Sequence, residues 1–302
     1  MTHKNNFDVI IIGGSYAGLS AGMSLGRALR RVLIIDSGKP CNRQTPHSHN
    51  FLTQDGQTPQ QIASLAKEQV AKYDTVQFHE GTAISGVQTN NGFEIKTQAG
   101  GIFSASKLIF ATGISDLMPG IEGFAACWGI SFIHCPYCHG YEVKNEKTGI
   151  LANGDMGFEF TKMINNWTKD LALFTNGKST LPKEQTEQLR KHAIEIIETE
   201  IDSLEQQDGK IQRIIFKDNS SMELKALYAK IPFVQHSNIP VSLGCELTEQ
   251  GLIKVDMLQK TTVAGVYACG DNSQHARAVS ISVAAGTMAG AAVNKELIDE
   301  TF

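Results

Sequence analysis

Two cysteines separated by two residues, Cys135 and Cys138, carry the strongest chemical signal in the sequence. They lie in the segment His134–His139, so a histidine flanks the pair on each side. Two thiols at this spacing can close a small disulfide loop, and a lowered thiol pKa makes one of them reactive. The pattern is therefore typical of a redox dithiol.

Two other chemistries use the same spacing. The segment matches the C-x-x-C-H motif of covalent haem attachment, and two histidines with two cysteines would supply four zinc ligands. Haem attachment of this kind belongs to an exported, oxidising setting, whereas the first residues give no apolar signal segment. Adjacent residues rarely converge on one tetrahedral ion, and the sequence has no second C-x-x-C. A redox dithiol is favoured over a haem site, and no metal site is predicted.

A glycine-rich turn follows a run of β-branched residues near the N-terminus. Residues 8–36 read as a buried strand, a helix and a second buried strand. Gly13, Ser15 and Gly18 occupy the three glycine positions of G-x-G-x-x-G, a turn that brings a dinucleotide phosphate onto a helix N-terminus. Asp36 closes the second strand, where an acidic side chain suits a ribose hydroxyl.

A second strand, turn, helix and strand begin near Gly149. The turn occupies residues 152–157, and the pattern predicts a helix over 158–169 and a strand over 170–174. Two such units predict a chain of the α/β class with two dinucleotide-binding domains. Further helices are predicted over residues 59–73 and from about Val279.

Length and charge limit the functional classes. The 302 residues correspond to two domains at roughly 150 residues each. With 27 basic and 31 acidic residues, the net charge of −4 disfavours a nucleic-acid binder and a polybasic membrane anchor. The uncharged run over residues 278–294 is short for a membrane span. Without a signal segment, we expect a cytoplasmic protein whose six cysteines are mostly reduced.

Two further strand-to-turn segments, residues 108–113 and 262–271, complete a resemblance to a known family. With the first turn, they resemble the three FAD-binding signatures of the low-molecular-weight thioredoxin reductase family, over nearly the whole chain. The resemblance implies an FAD-binding domain in two parts, 1–116 and 241–302. A domain similar to NAD(P)-binding domains, 117–240, would be inserted between them and carry the cysteine pair. Both would be Rossmann-like, three-layer ββα domains.

The resemblance also implies roles for individual residues. Cys138 would be the cysteine nearer the flavin, and Cys135 the interchange cysteine that attacks a substrate disulfide. His139 stands where thioredoxin reductases usually carry an acid, and an imidazole can accept or return a thiol proton near pH 7. His275 is a further candidate at the flavin edge. The implied FAD-binding residues are Gly13, Ser15, Tyr16, Ala17, Gly18, Asp36, Ala111, Thr112, Gly113, Gly270, Asp271, Arg277, Ala278 and Val279.

The second turn departs from the family pattern. Ala152 replaces its first glycine, and residues 175–178 lack the His-Arg-Arg cluster with which NADPH-dependent members hold the 2′-phosphate. A phosphate without an arginine fork loses its strongest charge-assisted contacts. The use of NAD(P)H is therefore left open.

The segment from Cys135 to Glu142 and residues 49–56 resemble a branch that includes the dithiol oxidases of the gliotoxin and holomycin type. Such enzymes close a substrate dithiol and pass electrons to oxygen through FAD. Our leading hypothesis is an FAD-dependent oxidoreductase that interconverts a substrate dithiol and disulfide. The alternatives are an NAD(P)H-dependent thioredoxin-disulfide reductase, a flavoprotein reductase for a one-electron carrier, and a non-catalytic flavin-binding sensor. The substrate would be a small dithiol or disulfide, a peptide or a thioredoxin-like protein, and the resemblance implies a homodimer.

Overall fold

The computed structural model describes residues 5–302, which form alternating strands and helices. In chain order, the elements are β1 (Asn6–Ile12), α1 (Tyr16–Arg27), β2 (Val32–Asp36), α2 (Pro59–Val70), β3 (Val76–Glu80), β4 (Ala83–Thr89), β5 (Gly92–Thr97), β6 (Ile102–Phe110), β7 (Ile114–Asp116), α3 (Phe124–Cys127), β8 (Phe132–Ile133), α4 (Pro136–His139), β9 (Thr148–Leu151), α5 (Gly154–Ile164), β10 (Leu171–Phe174), α6 (Lys183–Lys191), β11 (Glu195–Ile197), β12 (Ile201–Gln207), β13 (Lys210–Phe216), β14 (Ser221–Glu223), β15 (Ala226–Ala229), β16 (Phe233–Gln235), α7 (Ile239–Ser242), β17 (Val266–Ala268) and α8 (Val279–Asp299).

The chain divides into two compact units. The first unit comprises the chain up to Arg43 together with Asn50–Ser115 and Phe233–Phe302. The second comprises Gln44–His49 and Asp116–Pro232. The main part of the second unit is therefore inserted in sequence between two parts of the first. A short separate segment, Gln44–His49, also belongs to the second unit.

The sheet of the first unit brings three strand ends to one edge. Its strands run in the order β3-β2-β1-β6, all parallel, and β17 lies parallel to β6 while β5 and β4 extend the sheet antiparallel. Ile12 pairs with both Ile35 and Phe110, and Phe110 pairs with Ala268. The turns that follow β1, β6 and β17 therefore leave the sheet side by side, at its carboxyl edge, where open α/β sheets bind ligands.

Helices α1 and α8 pack against one face of this sheet at very close range. A Cβ atom on Gly286 of α8 would lie 2.1 Å from the carbonyl oxygen of Ala17 in α1, so only glycine permits this approach. The opposite face is covered by a second apolar cluster that includes Phe93, Ile95 and Ile253. The Rossmann-like arrangement expected for this unit is confirmed.

The second unit has three layers. A parallel sheet in the order β11-β10-β9-β15-β8 forms the middle. The antiparallel strands β12, β13 and β14 cover one face, where Leu204 and Ile214 are buried. Helices α5 and α6 cover the other face through Phe160 and Leu189. This is the three-layer ββα order that the family resemblance implies.

The structure places several boundaries differently from the sequence-based expectations. Residues 233–240 belong to the first unit, because β16 pairs with β7 there. Helix α5 begins at Gly154, four residues before the predicted start at residue 158, because the Asn153 side chain caps it, and it ends at Ile164. Helix α8 begins at Val279, as predicted. Among the helices of residues 5–302, none combines the length and apolar character of a membrane span.

Candidate active site

The cysteine pair lies directly beyond the carboxyl end of β8 in the second unit. Cys135 is the N-cap of the short helix α4, and Pro136 at its first position suits the backbone angles of a helix start. Cys135 and Cys138 are joined in a disulfide, and their Cα atoms lie 5.3 Å apart. Both side chains are half-buried. The two sulfurs are therefore placed to be oxidised and reduced together, as the sequence predicts.

His139 ends the same helix and is half-buried next to the pair. Burial lowers the pKa of its imidazole, the neighbouring ring of His49 lowers it further, and the carboxylate of Glu142 acts in the opposite direction. The net effect is a pKa below the ordinary value of a histidine. The imidazole is thus mainly neutral at pH 7, which is the form that accepts a proton from a thiol.

Two residues that sequence reasoning did not assign to the site accompany His139. The ring centroid of His49 lies 6.3 Å from that of His139, edge to face. Nε2 of His49 lies 3.5 Å from a carboxylate oxygen of Glu142. The available signals were the position of Glu142 three residues after His139 and the string that begins at His49, but nothing in the sequence joins these two segments.

Aromatic side chains lie on and next to the segment that carries the disulfide in the second unit. Tyr137, between the two cysteines, is 66% exposed and lies edge to face with Trp167 at 5.4 Å. Tyr141 is also exposed, and the ammonium of Lys144 lies 3.4 Å from its ring centroid. Such rings offer apolar contact area to a substrate with little loss of conformational entropy.

In the first unit, the glycine-rich turn after β1, which we call the glycine cradle, packs so closely against neighbouring backbone that side chains at Gly13 and Gly18 are excluded. A Cβ atom on Gly13 would lie 2.2 Å from the carbonyl oxygen of Ala111, and one on Gly18 would lie 1.8 Å from that of Gly13. Ser15 is the N-cap of α1, and the first turn of α1 has no acidic side chain. Tyr16 and Ala17 open this helix and are buried. A helix N-terminus of this kind attracts phosphate.

Asp36, at the end of β2, faces the same turn. Its carboxylate accepts hydrogen bonds from the backbone N–H groups of Gly14 at 2.9 Å and Gly38 at 3.2 Å. Asp36 therefore fixes the conformation of the turn and places a negative charge beside it. The ribose contact expected from the sequence stays a prediction.

The turn after β6 contains Ala111, Thr112 and Gly113, and a buried asparagine supports it. Asn272 donates hydrogen bonds to the carbonyl oxygen of Phe110 at 2.9 Å and to the hydroxyl of Thr112 at 3.2 Å. Sequence reasoning singled out its neighbour Asp271 and missed Asn272. The Oδ1 atom of Asn272 is buried without a hydrogen-bond partner in the structure.

The turn after β17, which contains Gly270 and Asp271, lies close to the start of α1. A Cβ atom on Gly270 would lie 3.0 Å from that of Ala17. The carboxylate of Asp271 lies 3.6 Å from Nε of Arg277 and accepts a hydrogen bond from Ser282 at 3.4 Å. Ala278 is the N-cap of α8, which begins at Val279 and has no acidic side chain in its first turn, whereas His275 is exposed.

These features fit FAD. A tight glycine turn that holds the start of α1 against the sheet, two helix N-termini without acidic side chains, and an orphaned buried amide oxygen suit a bound dinucleotide. The structure brings the residues implied in FAD binding to one edge of the sheet of the first unit. Their individual contacts with the cofactor stay predictions.

The corresponding turn of the second unit does not fit a dinucleotide equally well. Oδ1 of Asn153 accepts hydrogen bonds from the backbone N–H groups of Gly154 and Thr180, at 2.8 and 2.9 Å, and Nδ2 donates to the carbonyl oxygen of Lys178 at 2.9 Å. These bonds hold the loop after β10 against the start of α5. Asp155 adds a negative charge to the first turn of α5, where it would repel a pyrophosphate.

Known proteins match this chain over most of its length. Residues 7–287 match the model of the pyridine nucleotide-disulphide oxidoreductase family. Thioredoxin reductase tcpT of Claviceps purpurea is 31% identical over 99% of this chain and 96% of its own.

Solved structures of similar proteins also match nearly the whole chain. An oxidoreductase from Agrobacterium tumefaciens is 35% identical, with a TM-score of 0.91 over 97% of this chain and 99% of its own. HlmI is 29% identical, with a TM-score of 0.93 over 100% of this chain and 95% of its own. The resemblance seen in the sequence is confirmed, as is the assignment as an FAD-dependent oxidoreductase. The chain belongs to the pyridine nucleotide-disulphide oxidoreductase family, among its thioredoxin reductase-like members.

Proposed function

We propose that this enzyme oxidises a substrate dithiol to a disulfide through Cys135 and Cys138, passes the electrons to oxygen through FAD, and uses no nicotinamide nucleotide. The substrate is a small dithiol or the dithiol of a thioredoxin-like protein. The observation that carries the proposal is the second turn, where Asn153 ties Thr180 across the start of α5.

Three features of that turn oppose a nicotinamide dinucleotide. The amide of Asn153 already occupies the backbone N–H of Gly154, which a phosphate would otherwise bind. Asp155 is fixed nearby, since its carboxylate accepts a hydrogen bond from Gln185 at 2.8 Å. The loop after β10, residues 175–180, carries Lys178 but no arginine. A family member with such a turn needs another electron partner.

FAD would be held in the first unit. The backbone N–H groups of Ser15, Tyr16, Ala17 and Gly18 at the start of α1 would bind its pyrophosphate. Asp36 would bind the adenosine ribose, Ala111–Gly113, Gly270 and Asp271 would line the cofactor, and the start of α8 would face the flavin through Arg277, Ala278 and Val279. Bound FAD would supply a two-electron acceptor for the reduced cysteine pair and the reductant that converts oxygen to hydrogen peroxide.

The thiol chemistry then follows from the residues of the second unit. His139 accepts the proton of one substrate thiol, and the thiolate attacks Sγ of Cys135. The bond between the two cysteines breaks, and Cys138 leaves as a thiolate. The second substrate thiol loses its proton to solvent and attacks the mixed disulfide, which releases Cys135 as a thiolate and closes the substrate disulfide. The cysteines now hold the two electrons that the substrate has lost.

Calorimetric titration of the FAD-loaded enzyme with NADPH and with NADH tests the nucleotide claim. We expect no saturable heat with either nucleotide, whereas a nicotinamide-dependent thioredoxin reductase titrated in parallel gives a binding isotherm. A micromolar Kd for either nucleotide would contradict the proposal.

A second candidate is the reverse reaction, reduction of a disulfide by NAD(P)H. The family is named for pyridine nucleotides, and the relative from Claviceps purpurea is named a thioredoxin reductase. The two candidates share the cysteine pair and differ in the electron donor. Nucleotide binding in the titration above would favour this candidate.

We further propose that the enzyme is a homodimer in the cytoplasm. One face of α8 leaves Ile281, Met288 and Ile298 exposed, with Ala284 and Ala291 between them at helical spacing. An exposed apolar helix stripe of this kind suits pairing with a second copy. Within residues 5–302, the buried Cys127, Cys245 and Cys269 form no disulfide, which suits a reducing compartment.

A further inference from the structure

His49 comes from a segment distant in sequence and is held firmly beside His139. The segment Gln44–His49 belongs to the second unit, and Nε2 of Gln44 donates a hydrogen bond to the carbonyl oxygen of Trp128 at 3.2 Å. Thr45 and Ser48 are buried, and the His49 side chain is only 20% exposed. The position of His49 is therefore a property of the folded unit.

Glu142 connects this histidine to solvent. Its carboxylate lies 3.5 Å from Nε2 of His49, and its side chain is 41% exposed. The His139 ring is half-buried and meets the His49 ring edge to face. A chain of contacts therefore runs from His139 through His49 to the partly exposed carboxylate of Glu142.

Other titratable groups near this pair come from three parts of the second unit. The ring of His47 lies 6.4 Å from that of His49. Tyr228 on β15 has a buried hydroxyl, and its burial and the charge of Glu142 both raise its pKa, so it stays neutral. His134 packs edge to face against Trp128 and precedes the cysteine pair. In this set, Glu142 carries the negative charge that acts on His139.

We propose that His49 and Glu142 are positioning residues that set the protonation of His139 and exchange its proton with solvent during dithiol oxidation. This inference rests on the proposed function. Each substrate disulfide formed sets free two thiol protons, and two protons are taken up again where oxygen becomes hydrogen peroxide; His139 can hold only one of them at a time. The proton must therefore leave His139 within each catalytic cycle, and the pair provides the route and the compensating charge.

The two members of the pair act on His139 with opposite signs. A protonated His49 disfavours a second positive charge on His139, so replacing it raises the pKa of His139. The carboxylate of Glu142 favours that charge, so removing it lowers the pKa of His139. Glu142 also contacts His49 at 3.5 Å, so the direct effect of Glu142 on His139 is isolated in a background that lacks His49.

The experiment compares the wild-type holoenzyme with His49→Gln, with the double variant His49→Gln/Glu142→Gln, and with the control His192→Gln. His192 directly follows α6, far in sequence from the three histidines, His47, His49 and His139, whose rings contact one another and which we call the histidine cluster. The rate of anaerobic flavin reduction by dithiothreitol is measured against pH. The titration of His139 is followed independently by NMR of the histidine ring carbons, assigned with His139→Gln.

We expect the acid limb of the profile and the His139 titration to move to higher pH in His49→Gln by about half a pH unit. Adding Glu142→Gln moves both back towards lower pH, and His192→Gln moves neither. Rates that fall equally at all pH values, with an unmoved His139 titration, would overturn the inference. If dithiothreitol fails to reduce the wild-type flavin, the proposed function fails, while the NMR titrations still decide the role of the pair.

Discussion

The side-chain oxygen of Asn153 accepts hydrogen bonds from both the backbone N–H and the hydroxyl of Thr180, at 2.9 and 3.1 Å. The two residues lie on successive crossovers of the second unit, so one amide joins the start of α5 to the loop after β10. Nucleotide-binding domains leave this place open for a pyrophosphate. Here a side chain of the protein supplies the hydrogen-bonding partners instead.

Asn153 also stabilises the second unit. Replacing it with alanine removes the cap of α5 and the link to Thr180, so we expect the free energy of unfolding to fall by about 1 to 2 kcal/mol. Urea unfolding followed by circular dichroism measures the change. Asn166→Ala, an exposed asparagine of the same unit, serves as the control and should have little effect. Equal stability of the two variants would contradict the role of Asn153.

The glycine cradle of the first unit predicts a loss of FAD. In Gly18→Ala, the added methyl would meet the carbonyl oxygen of Gly13 at 1.8 Å, so the turn must open and its N–H groups move. We expect the purified variant to carry at least about tenfold less FAD per chain, as measured by absorbance. Gly120→Ala is the matched control, because a Cβ there meets nothing within 4 Å. A folded Gly18→Ala protein with full flavin content would contradict the assignment of this cradle.

The cysteine pair predicts a separation of catalysis from cofactor binding. Cys135→Ser and Cys138→Ser each remove a sulfur on which dithiol exchange depends, so turnover of dithiothreitol should fall by about a hundredfold or more. Their flavin content should stay normal, since the FAD cradle lies in the other unit. Cys245→Ser is the control, because Cys245 is a buried cysteine outside the redox pair whose thiol donates a hydrogen bond to the Thr261 hydroxyl at 3.5 Å. Substantial turnover by either redox-pair variant would point to a reaction that bypasses the dithiol.

A partly buried ion-pair network at the other end of the first sheet predicts a pH-dependent stability. Burial alone would raise the pKa of Glu296, but hydrogen bonds from Lys107, Lys260 and the Tyr267 hydroxyl lower it to about 2. Because the pKa is lower in the folded protein, this stabilisation is present above the ordinary carboxyl pKa and is lost as the pH falls towards 2.

Glu296→Gln should therefore lower the free energy of unfolding at pH 7 by about 2 kcal/mol. The difference from the wild type should shrink as the pH is lowered from 5 towards the acid limit of folding, in urea unfolding at each pH. Glu249→Gln replaces an exposed carboxylate and is the control. A difference that stays constant over this range would contradict the network.

The sequence is sufficient to predict the elements whose signals are local. The β-branched run before Gly13, the turn to Gly18 and the acidic end of β2 lie within one stretch of chain, and α8 begins at Val279 as expected. Contacts between distant segments carry no such signal. Asn153 caps α5 through a bond to Thr180, and this shifts the helix start.

The histidine cluster likewise depends on contacts between segments that are distant in sequence. His139 could be recognised because it adjoins Cys138, and the structure adds the cause of its lowered pKa. His49 lies 90 residues earlier, in a segment whose flanking residues belong to the first unit. Its pairing with Glu142 depends on how that segment folds onto the second unit, which local patterns do not encode.

Anaerobic flavin reduction tests the central claim most directly. The FAD-loaded enzyme is mixed, in separate experiments, with dithiothreitol, NADPH and NADH, and the absorbance of the oxidised flavin is followed before oxygen is readmitted. We predict that dithiothreitol bleaches the flavin, that neither nucleotide does, and that oxygen restores the absorbance with formation of hydrogen peroxide. Rapid bleaching by NADPH or NADH, or no bleaching by dithiothreitol, would contradict the account.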